Sequence, residues 1–222
     1  HLSIRRQRQM CIRDSVKAAP IKNIPLQLPF NSKAFTPENF GYTVSFDKKG
    51  NSFAAELIGD KVTCDNITFS IADHENKNVI KCKGDTIQLP KEAAGKKLYI
   101  LAASTDKDRK STFLVNGKSH EFEIPYYSGF YGQWGHKGVS DGYIRNASLA
   151  YIGSHRHTEK GNDTYIYTYM YKLGIELPQE AHTLVLPKDE NIAVFAITLS
   201  DNYIDDISTA NEMRTLPLEV SK

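Results

Sequence analysis

The segment from residue 164 to residue 177 constrains the fold more than any other part of the sequence. Its odd-numbered positions are aromatic or aliphatic, and its even-numbered positions are mostly polar. A helix would spread these side chains around its circumference, whereas a strand places alternate residues on one side. The segment therefore predicts a long strand. The side chains predicted to share one face are Tyr165, Tyr167, Tyr169, Tyr171, Leu173, Ile175 and Leu177.

Shorter segments with strand character occur along the rest of the chain. Residues 98–103 form a continuously apolar run, which is typical of a strand covered on both faces. Residues 113–115 and 120–124 flank Asn116-Gly117, a pair that suits the positive-φ positions of a type I′ hairpin turn. Further strands are predicted at 62–71, 86–89, 183–186 and 193–199. Helix is expected only as one turn at 91–95 and a short segment at 204–213.

Short strands separated by turns predict the fold class. About nine such strands indicate an all-β fold, an antiparallel β-sandwich or jelly roll. Residues 126–142 are rich in Gly and aromatic side chains, and we expect a long loop there. The segment after this loop contains too few strands to close a sandwich alone. We therefore predict a single β-sandwich domain over residues 16–222.

Residues 1–15 are set apart from this domain. They contain four Arg and one Asp and no apolar periodicity, as in a frayed basic terminus. Residues 10–15, Met-Cys-Ile-Arg-Asp-Ser, also match a translation of the transposon-end adapter used in sequencing libraries. We interpret residues 1–15 as a non-native, disordered segment. Because the chain starts without Met, we expect it to be the downstream part of a longer protein.

Composition and charge restrict the classes of partner. The hydrophobic fraction of 40% is sufficient for a core and excludes intrinsic disorder. A net charge of +2 provides no basic field for binding nucleic acid. No apolar run reaches the roughly 20 residues of a membrane-spanning helix. We therefore expect neither nucleic acid nor membrane as a partner. The sequence does not determine the compartment; a periplasmic or extracellular location is favoured, and a cytoplasmic one is the alternative.

The two cysteines outside the first segment are Cys64 and Cys82. Both lie in strand-like surroundings and lack CxxC spacing. Buried free thiols are the commoner outcome for such residues, and a disulfide is the alternative.

The first candidate site is the stretch Ser154-His155-Arg156-His157. On a strand, His155 and His157 point the same way and Arg156 points the opposite way. Two imidazoles on one face can bind a transition metal, or donate hydrogen bonds to a sugar or a carboxylate. The alternative is a strand end whose polar side chains satisfy neighbouring backbone groups. Only His136 suggests itself as a third metal ligand, so we assign no metal here.

The second candidate site is the aromatic stretch at residues 126–136, which contains the only Trp. Rings interleaved with Gly and amides suit carbohydrate recognition, because the C–H face of a sugar stacks on a ring while an amide binds its hydroxyls. The alternative is an aromatic plug that seals one end of the sandwich.

The third candidate is the turn at residues 47–51 with Glu56 downstream. Its Asp, Asn and Glu oxygens are ligands that a structural Ca²⁺ accepts. The spacing does not match an EF-hand, so we interpret the segment as a plain turn. The sequence also contains no GxSxG, HExxH, phosphate-loop or dinucleotide-binding motif, and no catalytic residue is assigned.

Several segments, taken in order, support a family resemblance. They are residues 28–31, 51–57 and 98–106, the Gly-Phe-Tyr-Gly-Gln-Trp stretch at 129–134, and the Ser-His-Arg-His stretch at 154–157 with its Tyr-rich strand. Their order and spacing resemble the carboxy-terminal region of bacterial-type α-mannosidases of glycoside hydrolase family 38. The resemblance covers nearly all of the chain from about residue 20 onward.

The resemblance implies a function in glycan degradation. Such enzymes are zinc-dependent, retaining exo-α-mannosidases whose zinc ligands and aspartate nucleophile lie in an amino-terminal domain. The region resembled here is a non-catalytic β-sandwich, similar to galactose-binding-like jelly rolls. It implies a module without a catalytic residue or cofactor of its own, which packs on the catalytic domain of the same parent chain and helps to shape its mannose-containing glycan site.

Six side chains are expected to make that domain contact or to bind carbohydrate. They are His155, Arg156, His157, Gln133, Trp134 and Tyr131. An independent carbohydrate-binding module and a purely structural spacer are the alternatives to this interpretation.

Overall fold

The computed structural model describes residues 21–38, 44–130 and 147–201. The strands of these ranges are β1 (Asn23–Pro25), β2 (Phe35–Thr36), β3 (Ser52–Ala54), β4 (Lys61–Cys64), β5 (Ile67–Ser70), β6 (Ile80–Lys81), β7 (Thr86–Gln88), β8 (Lys97–Ser104), β9 (Arg109–Val115), β10 (Lys118–Ile124), β11 (Ser128–Phe130), β12 (Ser148–Thr158), β13 (Gly161–Glu176), β14 (Thr183–Val185) and β15 (Ile192–Ser200). Helix in the described ranges is confined to 3₁₀ turns at Ala55–Leu57 and Lys91–Ala93. The predicted all-β fold is confirmed, and the predicted helix at 204–213 lies outside the described residues.

The strands form three sheets. A nine-stranded sheet runs in the order β1-β15-β8-β13-β12-β3-β2, with β11 added to β13 and β6 added to β15. A four-stranded sheet runs β10-β9-β14-β7, and β4 pairs with β5 in a separate hairpin. Strand pairing is antiparallel throughout these sheets except between β2 and β3. This arrangement agrees with the predicted antiparallel β-sandwich.

Strand β8 separates two hydrophobic cores. Every residue from Lys97 to Ser104 is buried, as the continuously apolar run predicts. Leu98 and Ile100 belong to a core that the four-stranded sheet covers, which we call the aliphatic core. Tyr99 and Leu101 belong to a second one, the aromatic core, which includes the hairpin β4-β5. The large buried rings of the aromatic core are Phe35, Phe46, Phe53, Phe69, Tyr99, Tyr127, Tyr171 and Phe195.

Strand β13 is the long strand expected from the alternation. It pairs with β12 on one side and β8 on the other, and it serves both cores. Tyr169 and Tyr171 belong to the aromatic core, whereas Leu173 and Ile175 belong to the aliphatic core, so the odd-numbered side chains do not all pack in one core. The prediction that all of them share one face is wrong. Tyr165 departs from the predicted alternation because its φ of 67° turns the backbone out of the extended region. Its side chain is 75% exposed.

Two hairpins test the predicted turn chemistry. Asn116-Gly117 joins β9 to β10 with φ angles of 49° and 81°, which confirms the predicted hairpin. The single strand predicted at 62–71 is wrong. Asp65 and Asn66 adopt φ angles of 51° and 64° and split the segment into β4 and β5. Short polar side chains tolerate the left-handed region, so this Asp-Asn pair turns the chain as Asn-Gly does.

The thiols of Cys64 and Cys82 are free, as expected. Burial raises the pKa of Cys64 to about 11, and the neighbouring Asp65 adds to the effect. Burial also raises the pKa of Cys82 far above its ordinary value. None of the helical segments that the structure describes has the length and hydropathy of a membrane-spanning helix.

Candidate functional site

The Ser-His-Arg-His stretch lies on β12, between β13 and β3. In the register of β12 and β3, Arg156 faces Phe53 and His157 faces Ser52. Residues that pair directly share a face of the sheet, so Arg156 points with Phe53 towards the aromatic core and His157 points the opposite way. The imidazole rings of His155 and His157 lie side by side, with centroids 5.4 Å apart. The predicted division of these three side chains is therefore confirmed.

Arg156 has a local partner on its own side of the sheet. Its Nε donates to Oδ2 of Asp163 at 2.9 Å, and its Nη2 lies 2.7 Å from the same oxygen. Asp163 is also the residue that pairs with Arg156 across β12 and β13. The Arg156 side chain is 19% exposed and points to the face of the sheet opposite to the two imidazoles.

Glu56 completes a three-residue cluster with the two histidines. The 3₁₀ turn Ala55–Leu57 follows β3 directly and places Glu56 in front of β12. Oε1 of Glu56 lies 3.1 Å from Nε2 of His155 and 3.0 Å from Nε2 of His157. The His155, His157 and Glu56 side chains are 15%, 4% and 30% exposed. The ligand-capable atoms of all three lie within 4.8 Å of one another.

Two further polar contacts surround this cluster. Oγ of Ser154 lies 3.2 Å from Nδ1 of His155. Asn162 pairs with His157 across the two strands, and its Nδ2 donates to Oε1 of Glu38 at 3.2 Å. Glu38 therefore adds a second carboxylate on the same face of the sheet.

An open groove of about 790 Å³ begins at Glu56. Its apolar lining includes Ala55, Ile58 and Ile71, which also belong to the aromatic core. Five carboxylates line the rest, and none of the described lining residues is Lys or Arg. These carboxylates belong to Glu38, Glu56, Asp60, Asp73 and Glu75.

The far wall of the groove is formed by residues 72–75. The His74 ring stacks on Phe35 at 4.7 Å between centroids, and burial holds the pKa of His74 below its usual value. The Asp73 carboxylate accepts the backbone N–H of Glu75, and this bond lowers the pKa of Asp73. Asp73 is thus held as a carboxylate at the groove.

The model of the AziU2-like β-sandwich domain matches residues 22–203. The chain belongs to this family. A comparison with curated proteins finds no match. The match confirms the predicted β-sandwich domain. It does not show the expected membership of glycoside hydrolase family 38.

The Asp47 turn of this AziU2-like domain is satisfied by protein donors. Oδ1 of Asp47 accepts the backbone N–H groups of Lys49 and Asn51 at 2.9 and 2.8 Å. Oδ2 accepts Nδ2 of Asn51 and the hydroxyl of Tyr127, both at 2.9 Å. The Glu56 carboxylate does not join this turn and contacts His155 and His157. The arrangement fits the plain turn expected from the sequence.

The predicted aromatic site falls mostly on residues that the structure does not describe. Tyr131, Gln133, Trp134 and His136 all lie outside the described ranges. Tyr127, near the start of the stretch, is fully buried in the aromatic core against Phe46 and Phe53. The burial of Tyr127 agrees with the alternative of an aromatic plug.

The contact of Glu56 with His155 and His157 was not predicted from the sequence. Glu56 is 99 residues from His155 and 101 from His157, and the sheet alone brings them together. The resulting groove combines an apolar floor with carboxylate acceptors. It suits a neutral polyhydroxylated ligand or a cation and repels phosphates and carboxylates.

Proposed function

We propose that this AziU2-like domain is the non-catalytic β-sandwich module of an α-mannosidase of the glycoside hydrolase family 38 type. Its task is to pack on the catalytic domain of the parent chain and to help shape the glycan site. One observation carries the proposal: Glu56, which lines the groove, contacts both histidines of the Ser-His-Arg-His stretch, on which the family resemblance depends most.

The lining of the groove supports a glycan as the ligand. Apolar side chains such as Ile58 and Ile71 offer a surface for the C–H face of a sugar ring. Carboxylates such as Asp60 and Glu75 accept hydrogen bonds from sugar hydroxyls. Charge repulsion at the same carboxylates selects against phosphorylated or acidic ligands.

Two of the five groove carboxylates, Asp73 and Glu56, support a non-catalytic role. Glycoside hydrolysis needs a general acid whose pKa is raised so that it stays protonated. The pKa of Asp73 is shifted in the opposite direction by its backbone hydrogen bond. Glu56 is engaged with two imidazole nitrogens. Both carboxylates act as acceptors or ligands in this setting.

An independent carbohydrate-binding module is the second candidate. The observation in its favour is that this domain alone combines apolar side chains such as Ile58 and Ile71 with carboxylate acceptors such as Asp60 in one groove. A groove formed within one domain needs no second domain to contact a sugar.

A turnover assay tests the non-catalytic assignment. We expect the purified chain to release no product from an aryl α-mannoside, with or without added Zn²⁺. Robust turnover that survives further purification would contradict the proposal.

A sugar titration separates the two candidates. Manno-oligosaccharides are titrated into the chain and followed by amide chemical shifts. Saturable binding that Glu75→Gln weakens and Glu121→Gln leaves unchanged supports the independent module, because Glu121 lies on β10, away from the groove. Absence of saturable binding by the isolated chain removes that candidate and leaves the glycan site dependent on the catalytic domain.

A further inference from the structure

We propose that Glu56, His155 and His157 form a binding site for a divalent transition-metal ion, with Zn²⁺ as the most suitable probe. From the sequence, a transition metal at His155 and His157 was one of several possibilities and was not assigned, because only His136 suggested itself as a third ligand. The proposal goes beyond the function above, since the resemblance puts catalytic zinc in a different domain. It rests on contacts of described residues alone.

The donor set is appropriate for such an ion. Two imidazole nitrogens and one carboxylate oxygen form a frequent three-ligand set of zinc and of other first-row metals. With bonds of about 2.0–2.2 Å, tetrahedral ligands lie about 3.3 Å from one another. The Glu56 oxygen lies 3.0 and 3.1 Å from the two Nε2 atoms, close to this spacing. The three atoms already lie within 4.8 Å of one another, so rotation of the more exposed His155 ring can close the remaining edge.

Ser154 supports coordination through Nε2 of His155. Metal binding at Nε2 requires the proton of the neutral ring to reside on Nδ1. Nδ1–H then needs an acceptor, which also fixes the orientation of the ring. Oγ of Ser154 is 3.2 Å from Nδ1 and can accept this hydrogen bond. Ser154 is therefore a positioning residue for the proposed ligand.

The metal-free cluster is held ready for binding. Both Nε2 atoms face the same carboxylate oxygen, and in the absence of metal their N–H groups donate to it. On binding, a neutral ring transfers its proton from Nε2 to Nδ1 through solvent, whereas an imidazolium ring keeps its Nδ1 proton and releases its Nε2 proton to bulk water. The three ligands are then already gathered, so little ordering of side chains is required.

The groove provides an entry path to the cluster. Glu56 lies in its wall, so this ligand is in contact with open space. The carboxylates of Asp60, Asp73 and Glu75 line the same groove and raise the local concentration of cations. A three-ligand site leaves a coordination position for water or for an oxygen of a groove ligand.

The test uses the whole chain after treatment with a chelator. Zn²⁺ alone is titrated by calorimetry, and Co²⁺ is added separately to record the absorption bands of its coordination sphere. We expect one strong site. Glu56→Gln and His155→Gln should each weaken Zn²⁺ binding by at least about 100-fold, and Ser154→Ala by about 10-fold.

The controls use histidines elsewhere in the fold. His120 lies on β10 and His182 lies just before β14. Neither His120→Gln nor His182→Gln should change the affinity of the strong Zn²⁺ site. Circular dichroism and thermal melting check that each variant is folded. His155 is substituted because it is partly exposed, whereas a substitution of the buried His157 could disturb folding.

Two results would overturn the site. One is the absence of strong Zn²⁺ binding by the folded parent chain, and the other is strong binding that survives both Glu56→Gln and His155→Gln. The sugar titration, repeated with metal-free protein, fails or succeeds independently of these outcomes.

Discussion

The two cores on either side of the large sheet differ in chemistry and in what they support. The aliphatic core consists mainly of Leu, Ile, Val and Ala, and the four-stranded sheet covers it. The aromatic core is built from Phe and Tyr rings and contains buried polar groups such as Asp47 and the Tyr127 hydroxyl. Among the described residues, the aromatic core borders the acidic groove through Ala55, Ile58 and Ile71, and the aliphatic core does not.

This difference indicates a division of tasks. Burial of branched aliphatic side chains supplies stability that depends on packing and requires no polar partner. Phe and Tyr fill a large volume, and buried tyrosine hydroxyls need hydrogen-bond partners. The aromatic core can therefore hold the polar turns that form the groove, while the aliphatic core stabilises the sheet on which β12 lies.

The largest expected effect tests the aliphatic core. Leu98 is fully buried there, so Leu98→Ala leaves a cavity and should lower the free energy of unfolding by about 3 kcal/mol. Urea denaturation measures the change. Ile152→Ala is the matched control, since Ile152 is 47% exposed and should cost far less. If both variants lose equal stability, the division of tasks is wrong.

The next effect tests the polar content of the aromatic core. Asp47→Ala removes acceptors for two backbone N–H groups and for the buried Tyr127 hydroxyl, and should cost about 3 kcal/mol. Tyr127→Phe removes only one of these bonds and should cost about 1 kcal/mol. A double-mutant cycle measures their coupling. Additive losses would contradict a shared network, because the two side chains contact each other directly.

The Asp65-Asn66 turn gives a smaller effect on the same side of the molecule. Asn66 has a φ of 64°, so Asn66→Ala should destabilise the hairpin by about 1 kcal/mol. Asn66→Gly relieves the backbone strain and serves as the paired variant. Thermal melting should give a lower midpoint for Asn66→Ala than for the native protein. An Ala variant as stable as the native protein would contradict the account of this turn.

The smallest expected effect is a difference in reactivity between two thiols on opposite sides of the large sheet. Cys64 is partly exposed on the β4-β5 hairpin, and Cys82 is fully buried in the aliphatic core. Because the pKa of Cys64 is raised to about 11, its thiolate fraction at pH 8 is small and alkylation should be slow. The rate should rise with pH until the pKa is reached.

Cys82 should react only when the domain unfolds, and mass spectrometry of alkylated peptides distinguishes the two sites. Modification of Cys82 before Cys64 under native conditions would show that the aliphatic core is the more open one.

Much of the fold follows from local patterns in the sequence. Alternation predicted β13, a continuous apolar run predicted β8, and Asn116-Gly117 predicted the β9-β10 hairpin. The hairpin at Asp65-Asn66 was missed because polar pairs without Gly also occur within strands and loops. The positive φ of Tyr165 was missed because nothing in an alternating segment marks a local irregularity.

The candidate site was predicted only in part. The two-residue period of a strand was enough to place His155 and His157 together and Arg156 apart. Glu56 could not be assigned to them, because the pairing of β3 with β12 depends on the whole sheet. A carboxylate 99 residues away in the chain gives no local signal of its contact with an imidazole.

The most direct test of the account is the anomalous scattering of zinc in a crystal of the chain soaked with Zn²⁺. We expect a peak about 2.0–2.2 Å from Oε1 of Glu56 and from Nε2 of both His155 and His157. A map in which Glu56 keeps its direct hydrogen bonds to both rings, with zinc only at other sites, would contradict the proposed role of this face of β12.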